Sequence, residues 1–189
     1  MDPLHNLGAK MKVSLVLTVI GDDRPGIVER LSRTVAEHDG NWLESSMSSL
    51  AGKFAGILRA EVPASNAEAL EAALEQLEPR GLHVIVEAST REPRRDLQDL
   101  RIELVGQDHP GIVRDISHLL AGKGINVEEL ETECMSAPMS GDLLFQATAR
   151  LRVPQGTSIE NLRQSLEGLA HDLMVDINLD DPRGGRVQS

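Results

Sequence analysis

The sequence predicts an α+β protein built from two ferredoxin-like βαββαβ domains, each an antiparallel sheet carrying both helices on one face. Three observations predict it. The segment Gly21-Asp22-Asp23-Arg24-Pro25-Gly26-Ile27-Val28 returns as Gly106-Gln107-Asp108-His109-Pro110-Gly111-Ile112-Val113, each time between an apolar strand pattern and an amphipathic helix pattern. The repeat is long: Gly21 to Gly106 and Asn41 to Asn126 are separated by about 85 residues, Phe54 to Phe145 and Pro63 to Pro154 by about 91, so the extra length falls in one hairpin. In both copies the apolar period also alternates in the same order between that of a strand and that of a helix.

In the first copy Val13 to Ile20 is a continuous apolar run of strand length, and Ile27, Val28, Leu31 and Val35 then recur on one helix face. Two strands follow around the turn Ala51-Gly52-Lys53. The second of them alternates Phe54, Gly56, Leu58, Ala60 and Val62 against Ala55, Ile57, Arg59 and Glu61. Leu70, Ala73, Leu74 and Leu77 stripe the second helix, and Leu82, Val84 and Val86 share a face of the closing strand. The second copy opens with Leu100 to Val105, and Ile112, Val113, Ile116, Leu119 and Leu120 stripe its first helix. Phe145, Ala147, Ala149, Leu151 and Val153 alternate with Gln146, Thr148, Arg150 and Arg152, a strand with one wet face. Ile159, Leu162, Leu166 and Leu169 mark the second helix, and Val175, Ile177 and Leu179 the last strand.

These patterns place the first domain at residues 12–89 and the second at 99–180. Between them, at 90–98, Thr90-Arg91-Glu92-Pro93-Arg94-Arg95-Asp96 is polar and broken by proline, the composition of a linker. The tail 181–189 is expected to be disordered, and residues 1–10 read as an extension ahead of a possible start at Met11.

Composition limits the function classes. With 189 residues, 40% hydrophobic and 26% charged, the chain can bury two small cores. A net charge of −11 opposes attraction to a phosphate backbone, so direct nucleic-acid binding is not expected. RNA-recognition modules share the topology but stack bases on aromatic side chains, and two Phe, one Trp and no Tyr cannot supply that surface. The single cysteine, Cys134, excludes an internal disulfide and fits a reducing compartment. No apolar run approaches the roughly 20 residues that span a bilayer, and the N-terminus lacks the features of a signal peptide. A cytoplasmic protein without a membrane partner is expected.

The chemistry-bearing residues form no catalytic constellation. There is no Ser-His-Asp spacing, no cysteine paired with a histidine, no metal-ligand cluster and no phosphate-binding Gly-x-x-x-x-Gly-Lys-Ser/Thr loop, so neither an enzyme nor a metal or cofactor site is expected. Cys134, Met135 and Met139 bracket Ser136-Ala137-Pro138, a loop better suited to a lid or a partner contact than to a soft metal. His118 lies near the helix stripe, where partial burial is the plain expectation.

The repeated loop remains. Proline at the first helical position gives up only an N–H that has no helical acceptor, and Gly26 or Gly111 beside it lets a ligand approach the backbone. Free N–H groups and the helix dipole favour a carboxylate there. Asp23 and Asp108, ahead of Pro25 and Pro110, are placed to hold an ammonium, so each loop carries complements to both ends of an α-amino acid. The competing account makes each aspartate a cap for its own helix. Arg24 and His109 occupy the same position in the two loops, which makes a solvated basic residue the simplest reading of His109, with a pH response as the alternative.

The Asp-x-Pro-Gly-Ile-Val loop after a first strand, followed by a helix and an asparagine (Asn41, Asn126) opening the second strand, resembles the ACT domain, a regulatory module that binds amino acids. The resemblance covers roughly residues 12 to 180. It implies a ligand site made of Asp23, Arg24, Pro25, Gly26 and Ile27 in one copy and Asp108, His109, Pro110, Gly111 and Ile112 in the other. It further implies that a neighbouring domain, within the chain or across a homodimer, supplies Asn41 or Asn126. Two such domains without a catalytic one resemble the tandem ACT repressors of glycine cleavage genes, which implies glycine as ligand and a DNA-binding activator as protein partner. The alternative is a stand-alone regulatory subunit or sensor of an amino-acid metabolic enzyme. Serine-binding members often carry histidine where this chain has Gly21 and Gly106; the smaller residue is expected to leave room there while removing a donor.

Overall fold

The computed structural model describes residues 11–89, 97–136 and 143–180. The chain divides into two compact units, one within Met1–Glu92 and one within Pro93–Ser189. The tail, the first ten residues, most of the linker and the Ala137-Pro138-Met139 part of the long hairpin lie outside the described residues.

The first unit runs β1 (Lys12–Asp22), α1 (Ile27–Glu37), β2 (Asn41–Leu50), β3 (Lys53–Pro63), α2 (Ala67–Glu75) and β4 (Leu82–Ala88), with strand order β2-β3-β1-β4. The second repeats it as β5 (Leu97–Gln107), α3 (Ile112–Gly122), β6 (Asn126–Ser136), β7 (Leu143–Pro154), α4 (Ile159–Leu173) and β8 (Val175–Asp180), in order β6-β7-β5-β8. All pairs are antiparallel. This is the expected βαββαβ pattern twice over. The correspondence reaches the irregularities: β2 shifts register between Trp42 and Glu44, and β6 between Val127 and Glu129. β5 begins at Leu97, inside the stretch read as linker, because Leu97 and Gln98 still pair with Pro154 and Val153.

Burial follows the strand alternation. Leu15, Leu17 and Val19 of β1 and Phe54, Leu58, Ala60 and Val62 of β3 join Ile27, Leu31 and Val35 of α1 and Leu70 and Leu74 of α2 in one core. The second core is built likewise from Leu100, Ile102, Leu151, Val153, Leu162 and Leu166, with Leu104, Ile112, Phe145 and Val175 closing its end near the repeated loop. Fully burying one such leucine stabilises by roughly 1.5–3 kcal/mol, which anchors each strand face against its helices. Val28 and Val113 depart from the expected stripe, being 47% and 40% exposed. They follow Ile27 and Ile112 by one residue, about 100° around the helix, and so turn away from the sheet. Only α4 has a side-chain cap, where Ser158 Oγ accepts from the Asn161 N–H at 3.2 Å.

Candidate functional site

Each repeated loop joins the end of a central strand to its first helix. The helices start two residues later than the sequence suggested: Ile27 and Ile112 are the first helical residues, and Gly26 (φ 89°) and Gly111 (φ 107°) occupy the cap position in the left-handed region. Proline therefore sits in the turn before the helix and not at its first position. A Cβ at Gly26 would meet nothing within 4 Å. It is the backbone angle that calls for glycine there, not a crowded neighbour.

That geometry decides between the two accounts of the aspartates. Neither helix has a side-chain cap, so Asp23 and Asp108 do not serve their own helices. Both are exposed, and neither carboxylate has a partner among the described residues. Arg30 and Asp115 make the first helical N–H bonds, to Gly26 and Gly111. The N–H groups of Ile27, Val28 and Glu29, and of Ile112, Val113 and Arg114, have no backbone acceptor among the described residues. Each loop thus offers donors at a helix start and, a few residues before them, an unpaired carboxylate.

The two loops are held differently. In both, the aspartate N–H is fixed by the neighbouring hairpin: Asp23 donates to the Gly52 carbonyl at 2.9 Å and Asp108 to that of Leu143 at 2.8 Å. The first loop adds charge. Asp22 pairs with Lys53 at 2.5 Å and Arg24 at 3.1 Å, and the Lys53 hydrogen bond and charge, seconded by Arg24, hold the Asp22 carboxyl below its ordinary range. Sequence patterning did not reveal this brace, because Lys53 lies 31 positions from Asp22 and meets it only through strand register. The second loop has Gln107 in place of Asp22 and is tied through His109, whose Nε2 lies 3.0 Å from the Leu173 carbonyl at the end of α4, with Nδ1 3.3 Å from that of Pro110. Arg24 is thus a brace for Asp22, and His109 is more than a solvated counterpart of it.

Two acceptors around one ring favour the form that donates from both nitrogens. The Leu173 carbonyl, then that of Pro110, raise the His109 pKa above 6.5, with smaller help from the charges of Asp108 and Asp115 and against some desolvation. A raised folded-state pKa contributes stability that is complete below the unfolded value near 6.5 and is lost as pH rises through the higher folded value. The midpoint of the second unit should therefore fall as pH rises across this window, and His109→Gln should flatten that slope; thermal melts from about pH 5.5 to pH 8.5 measure it.

Other sequence expectations are corrected or narrowed. A Cβ at Gly21 would lie 2.5 Å from the Gly81 carbonyl oxygen, and one at Gly106 would lie 2.8 Å from Val175 Cβ. These glycines leave no room for a ligand; they admit the start of β4 or β8. His118 is exposed, not partly buried. Cys134 is an exposed free thiol, and no group of three His, Cys, Asp or Glu suited to a metal occurs among the described residues.

The asparagines are not brought to the loop of their own unit. Asn41 pairs with Glu61, which pairs with Ser14, whereas the loop leaves β1 at Asp22, opposite Lys53. Asn126 stands likewise opposite Arg152, which faces Asp99, while the loop leaves β5 at Gln107. Eight residues of strand put each asparagine about 26 Å from its own loop.

Comparison with known proteins agrees with this architecture. The family model of the ACT domain matches residues 14–87. A crystal structure of a protein of unknown function from Galdieria sulphuraria is similar over 90% of this chain and 99% of its own, at 30% identity and a TM-score of 0.82. A protein provisionally assigned as a glycine cleavage system transcriptional repressor is similar over 90% of this chain and 97% of its own, at 20% identity and a TM-score of 0.68, a likeness of fold. No curated protein matches the sequence. The described helices include none long and apolar enough to cross a membrane. With the matched segment, the repeated fold and the repeated loop together, the chain belongs to the ACT-domain family, carrying the fold twice in tandem.

Proposed function

We propose that the chain is a non-catalytic, cytoplasmic amino-acid-responsive regulator whose repeated loops each take one small zwitterion. The observation that carries this reading is the unpaired Asp23 or Asp108 carboxylate beside helix-start N–H groups that lack backbone acceptors. The N–H groups of Ile27 and Ile112 and their neighbours would receive the ligand carboxylate, and the aspartate its ammonium. Arg24 and His109 hold the loops in shape. Asn41 and Asn126, remote from their own loops, would complete the loop of a neighbouring ACT copy.

Glycine is the favoured ligand, with serine next. Likeness of fold to the provisionally assigned glycine cleavage repressor supports an output through a DNA-binding activator, and a net charge of −11 suits contact with a protein better than contact with an operator. Ligand binding would act by favouring one conformational or assembly state, changing affinity for the partner by the same coupling free energy.

A thermal-shift screen of the purified chain against the twenty amino acids tests the site. Ligand at about 100 times its dissociation constant stabilises by roughly 2.7 kcal/mol, several degrees for a domain of this size. A shift with glycine or serine alone is expected; no shift with any amino acid sinks the ligand reading. A pull-down that recovers an amino-acid metabolic enzyme instead of a transcription factor would redirect the output.

A further inference from the structure

We propose that the open face of the β2-β3-β1-β4 sheet is where two copies of this chain meet, packed face to face about a two-fold axis running along β1. The face away from the helices carries Ile20, Ile57 and Ile85, which are 52%, 54% and 62% exposed. Strand register sets Ile57, Thr18 and Ile85 in one row, with Ala55, Ile20 and His83 in the next row and Arg59, Val16 and Glu87 in the row on the other side. The patch is therefore contiguous, not a scatter of single apolar residues.

The second unit supplies an internal control. At the positions of Ile57, Thr18 and Ile85 it has Thr148, Glu103 and Asn178, and Val16 and Glu87 become Arg101 and Asp180. The same fold is thus built with a polar open face, so the isoleucines are not a requirement of the sheet.

Charge indicates the occupant. Arg59 on β3 and Glu87 on β4 flank the patch on opposite sides of Val16 in a single row. Arg59 is engaged on its β2 side by Glu44 at 2.6 Å, while Glu87 has no ion-pair partner among the described residues. A two-fold axis along β1 lays β3 of one copy over β4 of the other, so Arg59 meets Glu87 of the second copy twice and Ile57 meets Ile85 twice, and the small twist between aligned sheets preserves these rows. Such self-complementarity is what an isologous contact needs. A patch of this size lies at the low end of specific interfaces, which points to a dissociation constant on the order of micromolar. This inference is independent of the loops: a chain that dimerises but binds no amino acid would leave it standing while the ligand reading fails.

The test is sedimentation velocity of the full chain, without amino acids, from about 1 to 100 µM. Wild type should pass from monomer to dimer. Ile57→Thr with Ile85→Asn, which installs the residues of the second unit, should weaken the dimer at least about tenfold with the melting midpoint kept. Arg59→Glu and Glu87→Arg should each weaken it alone, and the two variants mixed should restore it as a heterodimer, since each clash is then exchanged for a pair. A wild-type chain that stays monomeric, a dimer indifferent to the isoleucine exchange, or a mixture no tighter than its components each overturns the proposal.

Discussion

Changing Asp23 and Asp108 together to alanine is expected to lower amino-acid affinity by at least about 100-fold, while the melting midpoint without ligand moves by no more than the equivalent of about 0.5 kcal/mol. The asymmetry follows from the partner list. Neither carboxylate caps a helix, so removing it costs the fold no hydrogen bond. In the complex the same carboxylate would be the counter-charge of the ligand ammonium, covered by the ligand itself, where losing one member of a hydrogen-bonded charge pair costs roughly 2–5 kcal/mol. Each single variant should lose one of two sites and halve the stoichiometry seen by calorimetry. Aspartate to asparagine separates charge from shape: it keeps an acceptor but should still lose most of the affinity. Unchanged affinity in the double variant would mean that no ammonium is read at these positions.

How far the sequence goes can be judged from particular residues. The register of Phe54 through Val62 was visible because alternation fixes which side of a strand is apolar, and both sheets follow it. The helix starts were misplaced by two residues because Pro-Gly reads equally well as the first turn of a helix or as the turn before one; only the positive φ at Gly26 and Gly111 separates the cases. Val28 and Val113 look like core in a linear pattern but sit one step around the helix from it. The Asp22–Lys53 brace and the reach of His109 to Leu173 were illegible for another reason. They depend on which strand or helix end folds beside the loop, a tertiary fact that local patterning does not hold. Ile20, Ile57 and Ile85 are intermediate: alternation places Ile57 opposite the core side, but only the order β2-β3-β1-β4 sets the three together.

Gly106→Ala is expected to destabilise the second unit by about 2 kcal/mol, a fall of roughly 10 °C in its midpoint, and Gly21→Ala to do the same to the first. An added Cβ at Gly106 would lie 2.8 Å from Val175 Cβ and 2.9 Å from Val175 Cα, so rotating the valine side chain cannot relieve the clash and β8 itself must move. At Gly21 the obstacle is the Gly81 carbonyl oxygen at 2.5 Å, again backbone. Both glycines lie on the core side of the central strand, one residue before the loop position that precedes each aspartate, so the displacement is delivered where the proposed site begins. Differential scanning calorimetry of the two variants should show one lowered transition each. Because Gly106 and Val175 are paired neighbours, trimming the valine should rescue: Val175→Ala in the Gly106→Ala background is expected to recover part of the loss, although alone it is destabilising. A Gly106→Ala protein as stable as wild type would show that the strand can slide aside, and that these two positions are open to the side chains other ACT domains place there.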